Sequence, residues 1–175
     1  MRRRHKFRLS PVLLAIAGAV VALDQLTKSL VVQFLALRPD PSVALLGDWL
    51  RLSFATNTGA AFGFMPNQTG LFVAAAIVVV PTIAYFYSTL TDEPWYVRLS
   101  LGLLLGGTLG NAIDRVRQGY VVDFIDVGVG ALRWPAFNVA DSSFVVGSII
   151  LVAFVLFWQR ERSQERQVED GAAGG

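Results

Sequence analysis

Residues 141–158, DSSFVVGSIILVAFVLFW, decide the fold class of this chain. Between Asp141 and Arg160 the segment contains no charged residue. A helix needs roughly 20 predominantly apolar residues to cross the hydrocarbon core of a bilayer. This stretch therefore predicts a membrane-spanning helix.

Three further segments have the same character, at about residues 11–31, 70–87 and 96–116. The second contains Pro81, which a membrane helix tolerates when its neighbours satisfy the freed carbonyl. The composition agrees, with 54% hydrophobic and only 16% charged residues, whereas about a quarter of a soluble domain is charged. We expect an all-α polytopic membrane protein with four transmembrane helices. Residues 1–160 would form its single domain, followed by a polar, disordered cytoplasmic tail over 161–175.

Lysine and arginine predict the orientation of these spans. They cluster before the first span, at residues 2–8, and after the last, at residues 160–166. Cytoplasmic segments are enriched in these residues, so both termini should be cytoplasmic and the longer loops, about 32–69 and 117–140, should face outside. The basic start and Ala17-Gly18-Ala19 also resemble a cleavable signal peptide. Asp24 and Lys28, immediately downstream, favour a retained span instead.

Several classes of function are disfavoured by composition. The formal net charge of +2 is too small to suggest nucleic-acid binding. The chain has no cysteine, and its one histidine, His5, lies in the basic arm. Neither a Ser-His triad nor a metal site rich in His or Cys can be built from these residues. We expect no metal and no cofactor, with chemistry carried by carboxylates, amides, hydroxyls, lysine or arginine.

The first outer loop is unusual because no charged residue occurs from Leu52 to Thr91. Residues 52–65 are rich in Gly, Ala and Phe and alternate loosely, which predicts short strands on the membrane surface. Such a segment suits contact with lipid or with an apolar peptide. Equally, it can simply rest on the lipid headgroups.

Acidic residues give the clearest functional signal. Asp24 and Lys28 lie four apart on one face of the first span, either as a structural ion pair or as a site that contacts substrate. Asp114 and Asp123 are expected at the outer face, Asp123 in the β-like run of residues 119–126, and Asp141 begins the fourth span. Two carboxylates at one site share a proton, so that one can activate water while the other polarises a carbonyl. Alone, Asp141 reads as a helix N-cap, a role that Asn138 or Ser142 could also serve. Spacing does not establish that these acids meet.

These residues leave three hypotheses open. A membrane protease would use the acids at the outer face. A small proton-coupled transporter would use Asp24, although such a site usually lies near the midplane with a path to both sides. A noncatalytic scaffold would rest on helix packing through the glycines of the third span, which are Gly102, Gly106, Gly107 and Gly110.

Four blocks of sequence resemble the lipoprotein signal peptidase family, also called signal peptidase II, in the family's order. They are DQLTK at 24–28, NTGAAFG at 57–63, GNAIDR with GYVVDF at 110–115 and 119–124, and FNVADS at 137–142. The resemblance covers about residues 11–158. It implies a membrane aspartic protease in which a small β-rich extracytoplasmic cradle, including part of residues 52–65, accompanies the four helices.

The resemblance also implies roles for particular residues. Asp123 and Asp141 would be the catalytic pair. Asn57, Asn111, Arg115 and Asn138 would line the site and bind substrate or orient the carboxylates. Asp114 would support Arg115 and the local geometry, and Asp24 and Lys28 would give structural support.

Family members remove the signal peptide from bacterial prolipoproteins, cutting before a cysteine that carries a diacylglyceryl group. The implied partners are such signal peptides and membrane lipid, and the implied location is the bacterial inner membrane, with a monomer working at its extracytoplasmic face. We further expect the uncharged loop to act as a lid over the scissile bond.

Overall fold

The structure, a computed structural model, describes residues 9–59, 65–90 and 94–173, with side chains as far as residue 157. The basic arm at residues 1–8 and loop residues 60–64 lie outside this described part. Along the chain the elements are α1 (Pro11–Leu35), β1 (Ser42–Leu46), β2 (Leu50–Asn57), α2 (Thr69–Thr89), α3 (Trp95–Gln118), β3 (Val121–Val129), β4 (Leu132–Arg133) and α4 (Val139–Ala173).

The four helices fall on the four predicted spans. Within the described residues, Pro11–Leu35, Thr69–Thr89 and Val139–Phe157 are long and apolar enough to cross a membrane. Helix α3 has 24 residues but a more polar composition. The structure therefore gives three membrane-capable helices and a small antiparallel sheet, and a fourth span in α3 stays a prediction.

Local sequence sets where the helices begin and end. Ser10 caps α1 by accepting a hydrogen bond from the backbone N–H of Val12 at 3.2 Å, and Pro11 follows at a position where its missing N–H costs nothing. Helix α3 ends at Gly119, whose φ of 82° is left-handed. Glycine adopts this conformation without a steric penalty, so the chain can turn directly into β3.

Helix α3 is the centre of the bundle and packs against α1, α2 and α4. Its buried face includes Ser100, whose hydroxyl donates to the carbonyl of Gly147 on α4 at 2.8 Å. The outward faces of the other helices are apolar, as in Ile77 of α2 and Ile149 of α4, which are 69% and 63% exposed. Lipid-facing residues are expected to be apolar, and the surrounded α3 can be more polar because its neighbours cover it.

The four strands form one antiparallel sheet in the order β1-β2-β3-β4 at one end of the bundle. It rests on α1 through a cluster in which Val31 and Leu35 meet Val122 and Phe124. Strand β2 overlaps the predicted strand region, β3 overlaps the predicted β-like run, and β1 was not predicted. Because β3 is anchored on α1, Asp123 is held against the ends of the helices.

Helix α4 continues to Ala173, past the boundary near residue 160 where a disordered tail was expected. Residues 160–170 include several Arg, Glu and Gln residues, which are good helix formers. This propensity accounts for the continuation of the helix into the polar segment.

Candidate active site

The end of the bundle that carries the sheet gathers most of the predicted site residues. Strand β2 supplies Asn57, β3 supplies Asp123, the last turns of α3 supply Asn111, and the start of α4 supplies Asp141. Asp123 and Asp141, which are 18 positions apart in sequence, both line one cavity. The structure thus brings together the two acids whose meeting the sequence left open.

The start of α4 is built as a reciprocal cap. The side-chain oxygen of Asn138 accepts a hydrogen bond from the N–H of Asp141 at 2.9 Å, and the carboxylate of Asp141 accepts one from the N–H of Asn138 at 3.1 Å. This is the arrangement of a capping box. The N-cap is therefore Asn138, and Asp141 is the third residue of the helix rather than its cap. Asn138 is fully buried, so the cap fixes the Asp141 carboxylate at the cavity wall.

Asn138 also connects the two acids. Its side-chain amide donates to one oxygen of Asp123 at 2.7 Å. The other oxygen of Asp123 accepts from the amide of Asn57 at 3.0 Å. The oxygen of that Asn57 amide accepts from the N–H of Gly59 at 2.9 Å, which turns its NH₂ group towards Asp123. Both oxygens of Asp123 are thus oriented by amides on neighbouring elements.

Asp123 is in an environment that favours its protonated form. The side chain lies on the sheet, between helix ends, and the residue is 3% exposed. Burial away from water, and to a smaller extent the negative charge of Asp141, raises the pKa of Asp123 to about 6. The hydrogen bonds from Asn57 and Asn138 oppose this shift. Near neutral pH a carboxyl with this pKa can hold or release a proton, as general acid catalysis requires.

The two acids face a cavity of about 770 Å³. Its wall is largely apolar, with contributions from α2, α3, α4 and the segment before α4, including Phe72, Val79, Phe137, Phe144, Val145 and Val146. A cavity of this size and character suits a ligand with substantial apolar surface. The polar groups at its wall are few and include both aspartates.

A buried ionic cluster lies behind the cavity wall. The ammonium of Lys28 is 2.8 Å from the Asp24 carboxylate and 2.9 Å from that of Asp114. Asp24 also accepts from the N–H of Ala140 at 2.9 Å, which ties α1 to the first turn of α4. The i,i+4 pair between Asp24 and Lys28 is therefore present, and it extends to the start of the helix that carries Asp141.

Asp114 was expected to support Arg115 and the local geometry. The Asp114 carboxylate accepts from Lys28 and from the N–H of Val122 at 3.2 Å. A supporting role of Asp114 towards Arg115 stays a prediction. Arg115 donates to the carbonyl of Gly59 at 2.9 Å and lies over the ring of Phe72, 4.7 Å from its centre. Arg115 thus connects α3 to the segment that follows β2 and to α2.

Two residues of this region were not singled out from the sequence. Gln25 donates to the Asp114 carboxylate at 2.8 Å, and Phe72 stacks under Arg115. Gln25 lies inside the DQLTK block between the two ionisable residues, which was an available signal. No signal in the sequence marked Phe72, because one aromatic residue in an apolar helix does not reveal which side of the helix faces the cavity. The predicted lid falls partly on residues 60–64, outside the described residues.

Comparison with known proteins gives a consistent family. The model of the signal peptidase (SPase) II family matches residues 16–157. The lipoprotein signal peptidase of Halothermothrix orenii is 40% identical over 143 residues, 82% of this chain and 92% of that protein. That of Rhodococcus jostii is 42% identical over 171 residues, 94% of this chain and 81% of that protein.

A solved structure described as a bacterial membrane enzyme, determined by the in meso method at 2.3 Å resolution, has a similar fold. It is 31% identical, with a TM-score of 0.77, and the match covers 88% of this chain and 93% of that one. Sequence and fold agree over the part of the chain that holds both aspartates, and the chain therefore belongs to the signal peptidase II family, the lipoprotein signal peptidases of bacteria.

Proposed function

We propose that this protein is an aspartic endopeptidase that removes signal peptides from diacylglyceryl-modified prolipoproteins by cutting before the lipidated cysteine. The observation that carries the proposal is the arrangement of Asp123 and Asp141. Both carboxylates line one apolar cavity, and Asn138 hydrogen-bonds to both of them. This arrangement suits a carboxylate pair that shares one proton.

The different surroundings of the two acids suggest their roles. Asp141 lies in the first turn of α4, where the helix dipole favours an ionised carboxylate. Asp123 is desolvated beside that charge, which favours its protonated form. We therefore assign Asp141 as the base and Asp123 as the acid.

In the proposed reaction, Asp141 takes a proton from water while the water oxygen bonds to the scissile carbonyl carbon. Asp123 gives its proton to the carbonyl oxygen, which forms a neutral tetrahedral diol. The proton on Asp141 then passes to the peptide nitrogen as the C–N bond breaks, and a diol hydroxyl returns a proton to Asp123. The products are a carboxylic acid and an amine, and both aspartates regain their starting states.

The cavity fits the substrate class. Its apolar wall is suited to the side chains of a signal peptide and to acyl chains, while the aspartates face the same space. We further propose that the protein works as a monomer. We expect membrane lipid to surround its apolar helix faces.

We also propose that both termini are cytoplasmic and that the sheet end of the bundle is extracytoplasmic. The Lys and Arg residues at the two ends of the chain support this orientation. It requires α3 to be a fourth span, so that the aspartates lie at the outer surface. A prolipoprotein inserted with its basic start in the cytoplasm would present its cleavage site at that surface.

The proton-coupled transporter is not favoured. Asp24 is fully buried, and its carboxylate is occupied by Lys28 and the N–H of Ala140. A transported proton would need access to this group from both sides of the membrane.

Two synthetic peptides with the same lipobox sequence would test the substrate and the bond cut. One carries a diacylglyceryl cysteine and the other an unmodified cysteine. We expect the purified protein in detergent to release, from the first peptide only, a product that begins at the modified cysteine, as identified by mass spectrometry. Equal cleavage of both peptides, or cleavage at another bond, would contradict the proposed specificity.

A further inference from the structure

Lys28 is a buried cation held by three acceptors. Its Nζ lies 2.8 Å from Asp24, 2.9 Å from Asp114 and 2.9 Å from the side-chain oxygen of Asn111. An ammonium has three N–H donors, so these acceptors match its full capacity. The side chain is 4% exposed. Lys28 is therefore held in one position, with its charge shielded from water.

Asn111 connects this cation to the cavity. Because an ammonium only donates, Asn111 must turn its oxygen towards Lys28, and the amide of Asn138 donates to the same oxygen at 3.1 Å. The NH₂ group of Asn111 then faces Asp141 and donates to its carboxylate at 2.7 Å. A single amide thus separates the Lys28 charge from the proposed base.

The charges around the aspartate pair come from several elements. Helix α1 contributes Asp24 and Lys28, α3 contributes Asp114 and Arg115, β3 contributes Asp123, and α4 contributes Asp141. Charges in a buried site of low dielectric interact more strongly than in water. The positive charge of Lys28 lowers the pKa of Asp123, in opposition to its desolvation and to the charge of Asp141.

We propose that Lys28 is a positioning residue that sets the pH range in which the Asp123–Asp141 pair works, through the charge it holds behind Asn111. This inference rests on the proposed function, because that reaction requires one protonated and one ionised carboxylate. A purely structural ion pair would fix the packing of α1 against α3 and would leave the pH range unchanged.

Two single substitutions should shift the pH profile of kcat/KM in opposite directions. Lys28→Met removes a positive charge, so both acids hold their protons more strongly and the profile moves up by about one pH unit. Asp114→Asn removes a negative charge from the same cluster, so the profile moves down by a similar amount. Cleavage of the lipidated peptide at constant ionic strength provides the measurement.

Matched variants separate charge from stability. Ser100→Ala removes a buried bond between α3 and α4 without changing a charge, so it should lower the thermal stability and leave the profile in place. The double variant Lys28→Met/Asp114→Asn removes one charge of each sign. Its profile should return close to that of the wild type although the contact from Lys28 to Asn111 is lost.

Opposite shifts that cancel in the double variant would support the inference. If Lys28→Met does not fold, the downward shift of Asp114→Asn and its cancellation in the double variant carry the test. Unmoved profiles in the folded variants, or single variants that shift the same way, would overturn it. Failure of the proposed function looks different, because the wild type would then not cleave, or Asp123→Asn would remain active.

Discussion

Gly107 on α3 lies where that helix meets the start of α4, and replacing it with alanine should disturb the catalytic pair. An added Cβ would lie 2.5 Å from the carbonyl oxygen of Ala140 and 3.1 Å from the backbone nitrogen of Phe144. Both are backbone atoms of α4, so a side-chain rotation cannot relieve the contact. The helix itself must move.

The displacement can be derived from these distances. Ordinary Cβ contacts begin at 3.4 Å, so the Ala140 carbonyl must retreat by roughly 0.9 Å in a closely packed interior. Asp141 follows Ala140 directly, and its carboxylate would move with it. Misplacing a reacting group by about 1 Å can cost about 10²-fold in rate. Overpacking of this kind costs about 1–3 kcal/mol of stability, partly offset by the better helix propensity of alanine.

Two other glycines provide controls for Gly107→Ala. A Cβ at Gly18 of α1 meets no atom within 4 Å, so Gly18→Ala should leave cleavage and stability near those of the wild type. A Cβ at Gly106 would lie 2.7 Å from the Cβ of Val20 and 2.9 Å from the carbonyl of Ala17, both on α1. Gly106→Ala should therefore destabilise the bundle with a smaller loss of kcat.

The assay for these variants is the kcat for cleavage of the lipidated peptide, measured beside the thermal unfolding midpoint in the same detergent. We expect Gly107→Ala to lose about 10²-fold in kcat while folded. Cleavage within about threefold of the wild type would refute the link between this helix contact and the position of Asp141.

Three further predictions concern the site and the sheet. The pH profile of kcat/KM should fall on its basic side, as Asp123 loses its proton, with an apparent pKa within about one unit of 6. Asn57→Ala should move this fall to higher pH, because the hydrogen bond from Asn57 lowers the pKa of Asp123. Asn138→Ala removes the cap of α4, so it should lower stability by about 1–3 kcal/mol in a denaturation assay. It also removes the hydrogen bond to Asp123, so kcat should fall by at least about 10²-fold. Arg133→Met, which removes the ion pairs of Arg133 with Asp126 at 2.6 Å and with Asp48 at 3.3 Å on the sheet, should lower stability by about 1–3 kcal/mol and change kcat by less than about threefold, as measured by the same assays.

Much of the helical architecture could be predicted because each apolar helix carries its own signal in local composition. The i,i+4 spacing of Asp24 and Lys28 likewise predicted their pairing, since it depends on one helix only. Helix α3 carries a weaker signal for a membrane span. It lies among the other helices, and its buried face mixes four glycines and the polar Ser100 and Asp114 with Val97 and three leucines, which makes its apolar signal weaker.

Contacts between distant segments could not be derived from spacing. The position of Asp114 beside Lys28 depends on the packing of α1 against α3, and the meeting of Asp123 with Asp141 depends on how β3 rests on α1. Strand β1 pairs with β2 across a short turn but lacks a clear alternating pattern. The capping box was within reach, because Asn138 and Asp141 have the required spacing of three.

The central claim is that Asp123 and Asp141 form the catalytic pair, and the direct test is cleavage of the diacylglyceryl-modified peptide by Asp123→Asn and Asp141→Asn. Asparagine keeps the shape of each side chain but cannot exchange the proton, so we expect each variant to lose at least roughly 10³-fold in kcat while its thermal unfolding remains cooperative. A folded variant of either kind that cleaves within about tenfold of the wild type would contradict the assignment.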